Sequence, residues 1–567
     1  MQHIQHSNKF IYMVLSLGAL FFAGGLITYP GSAATYAVFT LIFMLTLASS
    51  FYGKFSYSYF FLVIFIWLGF WLKLTVHSIF DYTYVEPTGI FDGSSSSWDE
   101  VLWVAVAAGI GVMAGRLAYA RLVQSSSSEE TSTVAAPAWY PELRNWAWAI
   151  TLLIVIAIAA ANAFYGIQQI GLVPRTVLPW PSNAVIAWMT SIGSAMGVST
   201  LVWWDIVSKR KFSISMYAIL MEACLSTVSL LSRGIYIFHT IPQLLSLYRC
   251  RRILTGTSSR QVIVLGVVFV GLFIGTLAVI NVLRGYLYPH QGLIISTSVN
   301  QTRLTQVEVL NGKIPEIERM MASVDTSPEE LRRFYKLHGL KADVPLEVQR
   351  QQFIETRAKF AKALTEEEVR GKQIANSTVG QLKVLMEELA YQLKGGAIER
   401  TSQLLVDRWV GLEGVMAVQS YGQKGSALLL EGITEKREIG KVPLYQEICR
   451  SHYRLMDAKT WQFGSLPGAS AFLYYSGSVW IVMLGMAVLC FVLLVLERFI
   501  YVLTRNPILC ALLGFNLANF VAQLGMTPRQ DLPFYAMMFG GVLAIWLVQS
   551  GNIESGFAKL KLYYHKS

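Results

Sequence analysis

At 567 residues the chain is 54% hydrophobic and only 14% charged, far below the roughly 25% charged residues of a soluble globular domain. Many apolar runs of about 17–25 residues place it in the polytopic membrane class and argue against a water-soluble enzyme. The formal charge of +11 is assigned to cytoplasmic loops rather than to a nucleic-acid surface, because no basic block with interleaved aromatics stands outside those loops.

In chain order, the hydropathy gives twelve candidate spans, near 10–28, 33–50, 58–76, 101–122, 146–165, 183–203, 213–231, 234–248, 261–283, 471–495, 506–524 and 532–550. The first run has no small-x-small cleavage site and reads as a span, not a signal peptide. The seventh and eighth together are short for two crossings and need a tight hairpin at Ser232, Arg233 and Gly234. Keeping both puts Lys54, Arg116, Arg121, Arg144, Lys209, Arg249, Arg260, Arg498 and Arg505 on one side, which the positive-inside rule makes cytoplasmic. The loop from His77 to Glu100 carries Asp81, Glu86, Asp92, Asp99 and Glu100 with no lysine or arginine, and belongs outside. Both termini are then cytoplasmic. The Ser125–Ser128 run with Glu129 and Glu130 reads as a flexible linker.

The expected fold class is therefore an all-α polytopic integral membrane protein with one large, mainly helical external domain. Residues 1–283 form an N-terminal bundle, 284–470 the external domain, and 471–567 a C-terminal bundle with a tail. A polar interval this long carries function or a small domain rather than merely connecting two spans. Within it Thr302–Met321, Ser327–His338, Pro345–Leu364, Thr378–Leu393 and Ile398–Glu413 read as helices. It contains one of the five cysteines, Cys449, so it holds no internal disulfide. No cysteine–histidine spacing suggests zinc.

The candidate chemistry is carried by arginines at external membrane boundaries: Arg175, Arg233, Arg284, Arg408 and Arg529. External arginines run against the positive-inside rule, and their planar fork fits phosphate oxygens in pairs. The bland alternative is snorkelling, or pairing with Asp407, Glu413 or Asp531. Tyr286 and Tyr288 follow Arg284 and are either an interfacial belt or a sugar-stacking lip, and Trp409 sits beside Arg408. His290 is a candidate general base by its near-neutral titration, or simply a solvated loop residue. Glu413 lies between Gly411 and Gly414, a pattern for close backbone approach or a helix break; it is either a base that activates a hydroxyl or one half of an ion pair. Glu222 and His239 are ionisable residues inside spans and pair across the hairpin in the bland reading. No P-loop, dinucleotide fingerprint, HExxH or nucleophile elbow is present.

With these residues in view the chain resembles the bacterial O-antigen polymerase (Wzy-type) family, within the wider O-antigen ligase and polymerase group. The likeness rests on the hydropathy plan, on Leu231, Ser232, Arg233 and Gly234, on Arg284 at the mouth of the large loop, and on Arg408 with Gly411. It rests also on Leu466, Pro467 and Gly468 leading into Tyr474, Tyr475, Ser476, Gly477 and Ser478. The resemblance implies a GT-C-like membrane glycosyltransferase in the bacterial inner membrane with a periplasmic loop. It would join oligosaccharide repeat units carried on undecaprenyl diphosphate, without metal or cofactor. Arg284, Arg408, Glu413 and His290 would be catalytic; Arg175, Arg233, Arg529, Tyr286, Tyr288 and Trp409 would bind substrate. Arg284 and Arg408 would face one cavity. Partners would be the lipid-linked oligosaccharide, the bilayer, a chain-length regulator and a flippase, with no nucleic acid. The competing expectations are an O-antigen ligase, a flippase or transporter without chemistry, and a structural or sensory membrane protein.

Overall fold

A computed structural model describes residues 18–123, 136–209, 215–250, 258–287, 314–315, 317–322, 344–375, 406–436, 438, 440–451, 464–525 and 528–550. Regular structure among the described residues is helical, without strands. The N-terminal part runs through α1 (Gly18–Thr28), α2 (Ala33–Ser49), α3 (Tyr57–Phe80), α4 (Ser95–Leu122), α5 (Tyr140–Tyr165) and α6 (Ser182–Ser208). It continues through α7 (Met216–Leu230), α8 (Ile235–Arg249) and α9 (Ser259–Leu287). Then come α10 (Leu346–Ala375), α11 (Leu412–Gln419), α12 (Ser426–Thr434), α13 (Leu444–Ile448) and α14 (Ala469–Leu473). The chain closes with α15 (Val479–Thr504), α16 (Pro507–Gln523) and α17 (Pro528–Gln549).

A helix occupies each expected apolar segment, and seven of them are long and apolar enough to cross a membrane: α3, α4, α5, α6, α9, α15 and α17. α1, α2, α7 and α16 are apolar but shorter. Several boundaries differ from the sequence expectation: α4 starts at Ser95 and α5 at Tyr140, ahead of the expected 101 and 146, and α10 runs on to Ala375. The span expected from 471 begins at Val479, because α14 and a 3-10 turn at Tyr474–Ser476 come first and Gly477 reverses the chain at φ 72°. The helix expected over 398–413 is interrupted, within its described part, from Arg408 to Gly411.

Met1–Asn281 with Ile398–Ser567 form one compact unit and Val282–Ala397 a second. The second holds the last turn of α9 and the polar helix α10, where Arg350 pairs with Glu318 at 2.8 Å. In the first unit α3 is the innermost long helix, with 72% of its apolar window buried, whereas α17 has 11% buried and turns its apolar sides outward. Lipid tails are as apolar as leucine, so helix association in a bilayer relies on close packing and on polar contacts. Both are present. Gly111 and Gly115 of α4 lie directly against the Met483 and Ala487 carbonyls of α15, where a side chain would collide. Glu497 of α15 accepts from the Tyr57 and Ser58 backbone N–H groups at 2.8 Å each, and so caps the start of α3.

Candidate functional site

Inside α3 the residues from Trp67 to Leu72 form a π-helical turn, and the Lys73 N–H reaches back to the Leu68 carbonyl, five residues earlier. Such turns widen a helix locally and recur at functional sites. Phe65, Gly69, Lys73 and His77 follow one another at intervals of four along α3, and each meets the same short segment, 407–413. Trp409 stacks on Phe65 with ring centroids 5.7 Å apart. Gly69 presses on the Val410 carbonyl and Gly411, leaving no room for a side chain at either glycine. That close approach is what Gly411 in the sequence foreshadowed.

Beyond the glycines lie two acid–base rungs. Lys73 Nζ donates to both Glu413 oxygens at 2.6 and 2.9 Å and to the Asp407 carbonyl at 3.2 Å. All three ammonium protons are thereby used. The two side chains are 0% and 3% exposed. One turn on, His77 Nδ1 donates to the Tyr82 carbonyl at 2.9 Å, and Nε2 faces Asp407 Oδ1 at 2.7 Å. Tyr84 stacks face to face on this imidazole at 4.2 Å. Burial pushes the Glu413 carboxyl above its ordinary range, against the pull of Lys73. Burial likewise raises the Tyr84 phenol, and the Glu413 and Asp407 charges raise it further, so Tyr84 stays a hydroxyl. Between the rungs Arg408 is exposed, with no ion-pair partner among the described residues.

A second buried acid–base pair lies apart from this one. His239 of α8 donates from Nε2 to the Ser191 carbonyl at 2.8 Å, and its Nδ1 is 3.0 Å from Glu222 Oε2 of α7. Ser191 sits in another π-helical turn, Met189–Gly193 of α6. Ser226 donates to Glu222 Oε1 at 2.7 Å. The two in-span ionisable residues thus pair across the hairpin, and the cluster is closed on itself.

The sequence-derived candidates are dispersed. Glu413 is in the α3 cluster, with Arg408 and Trp409 beside it. Arg233 is exposed in the turn between α7 and α8, and Arg529 is exposed in the first turn of α17. Arg175 is exposed and donates to the Ala163 carbonyl at 3.2 Å. Arg284 belongs to the second compact unit and Arg408 to the first. Tyr288 and His290 lie outside the described residues, as does the Tyr286 side chain. Lys73 and His77 were not singled out from the sequence, and Asp407 only as a partner for an arginine. The signal that flags Glu222 and His239, an ionisable side chain inside an apolar run, applies equally to Lys73 and His77.

Among the described residues no group of three or more His, Cys, Asp or Glu side chains has the placement to hold a metal ion. Among the described residues the fold is all-helical, with apolar helices of membrane-spanning length. No protein-family model, curated protein or solved structure matches the chain.

Proposed function

We propose that the chain is a membrane glycosyltransferase that polymerises undecaprenyl-diphosphate-linked oligosaccharide repeat units at the outer leaflet of a bacterial inner membrane, without metal or cofactor. The observation that carries this reading is the 407–413 segment. It follows the long polar interval in sequence, seats two carboxylates on a lysine and a histidine of the most buried long helix, and leaves Arg408 exposed between them. In this reading twelve helices cross the membrane, both termini are cytoplasmic, and residues 284–470 are periplasmic. The His77 end of α3 and the acidic 77–100 loop then stand at the external headgroup level.

Transfer of a glycan from lipid diphosphate builds negative charge on the departing diphosphate. One well-placed donor to such charge is worth about 3–4 kcal/mol, or roughly 10²–10³ in rate. Arg408 offers the planar fork suited to that role. Glu413, with both oxygens on Lys73, holds the segment in place. The test is the glycolipid that accumulates when the gene is deleted. Single capped repeat units on undecaprenyl diphosphate support a polymerase. Full-length lipid-linked polymer means a ligase, and an unchanged glycolipid profile removes the reading.

A further inference from the structure

Five carboxylates are buried among the described residues: Asp205, Glu222, Asp407, Glu413 and Glu497. Four of them have both oxygens occupied. Asp205 takes Arg144 on both oxygens, at 2.5 and 2.6 Å. Glu222 takes His239 and Ser226. Glu413 takes Lys73 on both oxygens, and Glu497 takes the Tyr57 and Ser58 N–H groups, one on each oxygen. Asp407 is the exception: its Oδ1 faces His77, while Oδ2 is buried without a hydrogen-bond partner.

A buried acceptor left unmatched forfeits the hydrogen bonds that water gives it in the unfolded chain. Such an atom in a native fold calls for an explanation, and a ligand is one of the few available. The chemistry of that ligand follows from the protons. The Tyr82 carbonyl can only accept, so His77 Nδ1 carries hydrogen. One further proton lies between Nε2 and Oδ1, on one side or the other. In either case Oδ2 is a bare acceptor, and what completes it is a hydrogen-bond donor. The two cationic or imidazole donors of α3 are already committed: Lys73 to Glu413 and the Asp407 carbonyl, His77 to Tyr82 and Oδ1.

We infer that Asp407 Oδ2 is the subsite for the acceptor sugar's hydroxyl and that Asp407 is the catalytic base of the transfer. This rests on the glycosyltransferase reading above and deepens it. In the step, the acceptor hydroxyl oxygen forms a bond to the anomeric carbon of the donor glycan. The bond from that carbon to the diphosphate oxygen breaks, its electron pair leaves with the diphosphate, and the hydroxyl proton passes to Oδ2. Proton removal by a base aligned with a single displacement inverts the anomeric centre. His77 fixes Oδ1, so Asp407 presents Oδ2. Lys73 holds the Asp407 backbone through the carbonyl, and Gly69 against Gly411 fixes the segment from its other end.

The experiment uses the full chain returned to cells deleted for the gene as wild type, Asp407→Asn or Asp407→Glu, and the same three proteins purified into nanodiscs. Two quantities are read: polymer per unit of membrane-inserted protein, and affinity for undecaprenyl diphosphate as a probe of the donor site. A positioned base contributes about 10²–10⁴-fold. Asp407→Asn keeps the shape, can turn its amide N–H to His77 Nε2, and leaves in place of Oδ2 an amide oxygen that takes no proton; it should lower elongation at least about 100-fold while probe affinity and thermal stability stay within about twofold and a few degrees of wild type. Asp407→Glu retains a carboxylate and should recover part of the rate. Asp407→Asn polymer within about threefold of wild type, or equal loss in both variants, overturns the base. So does loss of polymer in step with probe binding or inserted protein, since the role would then be structural. If the variants behave like wild type while wild type polymerises, the glycosyltransferase reading survives. If wild type elongates no lipid-linked unit, both fall.

Discussion

Replacing Lys73 by methionine keeps most of the side-chain length and removes the charge. In the folded protein Lys73 is fully buried and gives all three of its protons to Glu413 and the Asp407 carbonyl. The variant therefore strands a buried Glu413 carboxylate and a buried carbonyl at once. Breaking a buried pair from one side costs about 3–5 kcal/mol, whereas exchanging both partners for apolar groups of similar volume is often near neutral. The expected pattern is a loss of about 3–5 kcal/mol for Lys73→Met, a comparable loss for Glu413→Leu, and a much smaller loss for the double variant. The coupling between the two substitutions should then amount to several kcal/mol. Reversible unfolding in mixed detergent micelles, followed by tryptophan fluorescence, supplies the four free energies. Additivity within about 0.5 kcal/mol is the behaviour of residues that do not touch. It would refute the seating of the 407–413 segment on α3 and, with it, the site built from that contact.

Two further outcomes follow. In a cysteine-free background, Ser96→Cys, exposed at the start of α4, should react with an impermeant maleimide in cells with a permeable outer envelope, and Ser208→Cys, exposed at the end of α6, only after lysis; the opposite pattern overturns the topology and the external placement of the site. Arg408→Lys keeps the charge but loses the paired N–H fork, so polymer per inserted protein should fall about tenfold or more, consistent with the size of a donor contact to developing charge; lysine serving as well as arginine would mean that Arg408 only anchors the segment at the interface.

The helical plan was legible because apolar runs of spanning length are a strong local signal, and helices stand where the runs were read. Boundaries were less legible where a short helix precedes a span: the apolar run from Ala471 continues through a reversal at Gly477 that hydropathy cannot register. Glu413 was visible through its flanking glycines, and the close backbone approach they signalled is made by Gly411 on Gly69. Its partner was not visible, since Lys73 lies 340 positions earlier in the chain. Lys73 falls inside the third apolar run, and His77 stands at its end, where the acidic loop opens. Read as a pair four apart on one helix face, they mark a polar stripe within an apolar helix, which requires a partner of opposite charge. What no local pattern supplies is the unmatched Asp407 oxygen. It exists because Lys73 and His77 divide their donors in a particular way, and that division is a property of the assembled contact.

The most direct test of the central claim is reconstitution. Purified protein in liposomes, given lipid-linked repeat units extracted from cells deleted for the gene, should produce a ladder of products differing by one repeat, with one undecaprenyl diphosphate released for each bond formed. Well-folded protein that releases no undecaprenyl diphosphate and leaves the repeat units unlinked would contradict it.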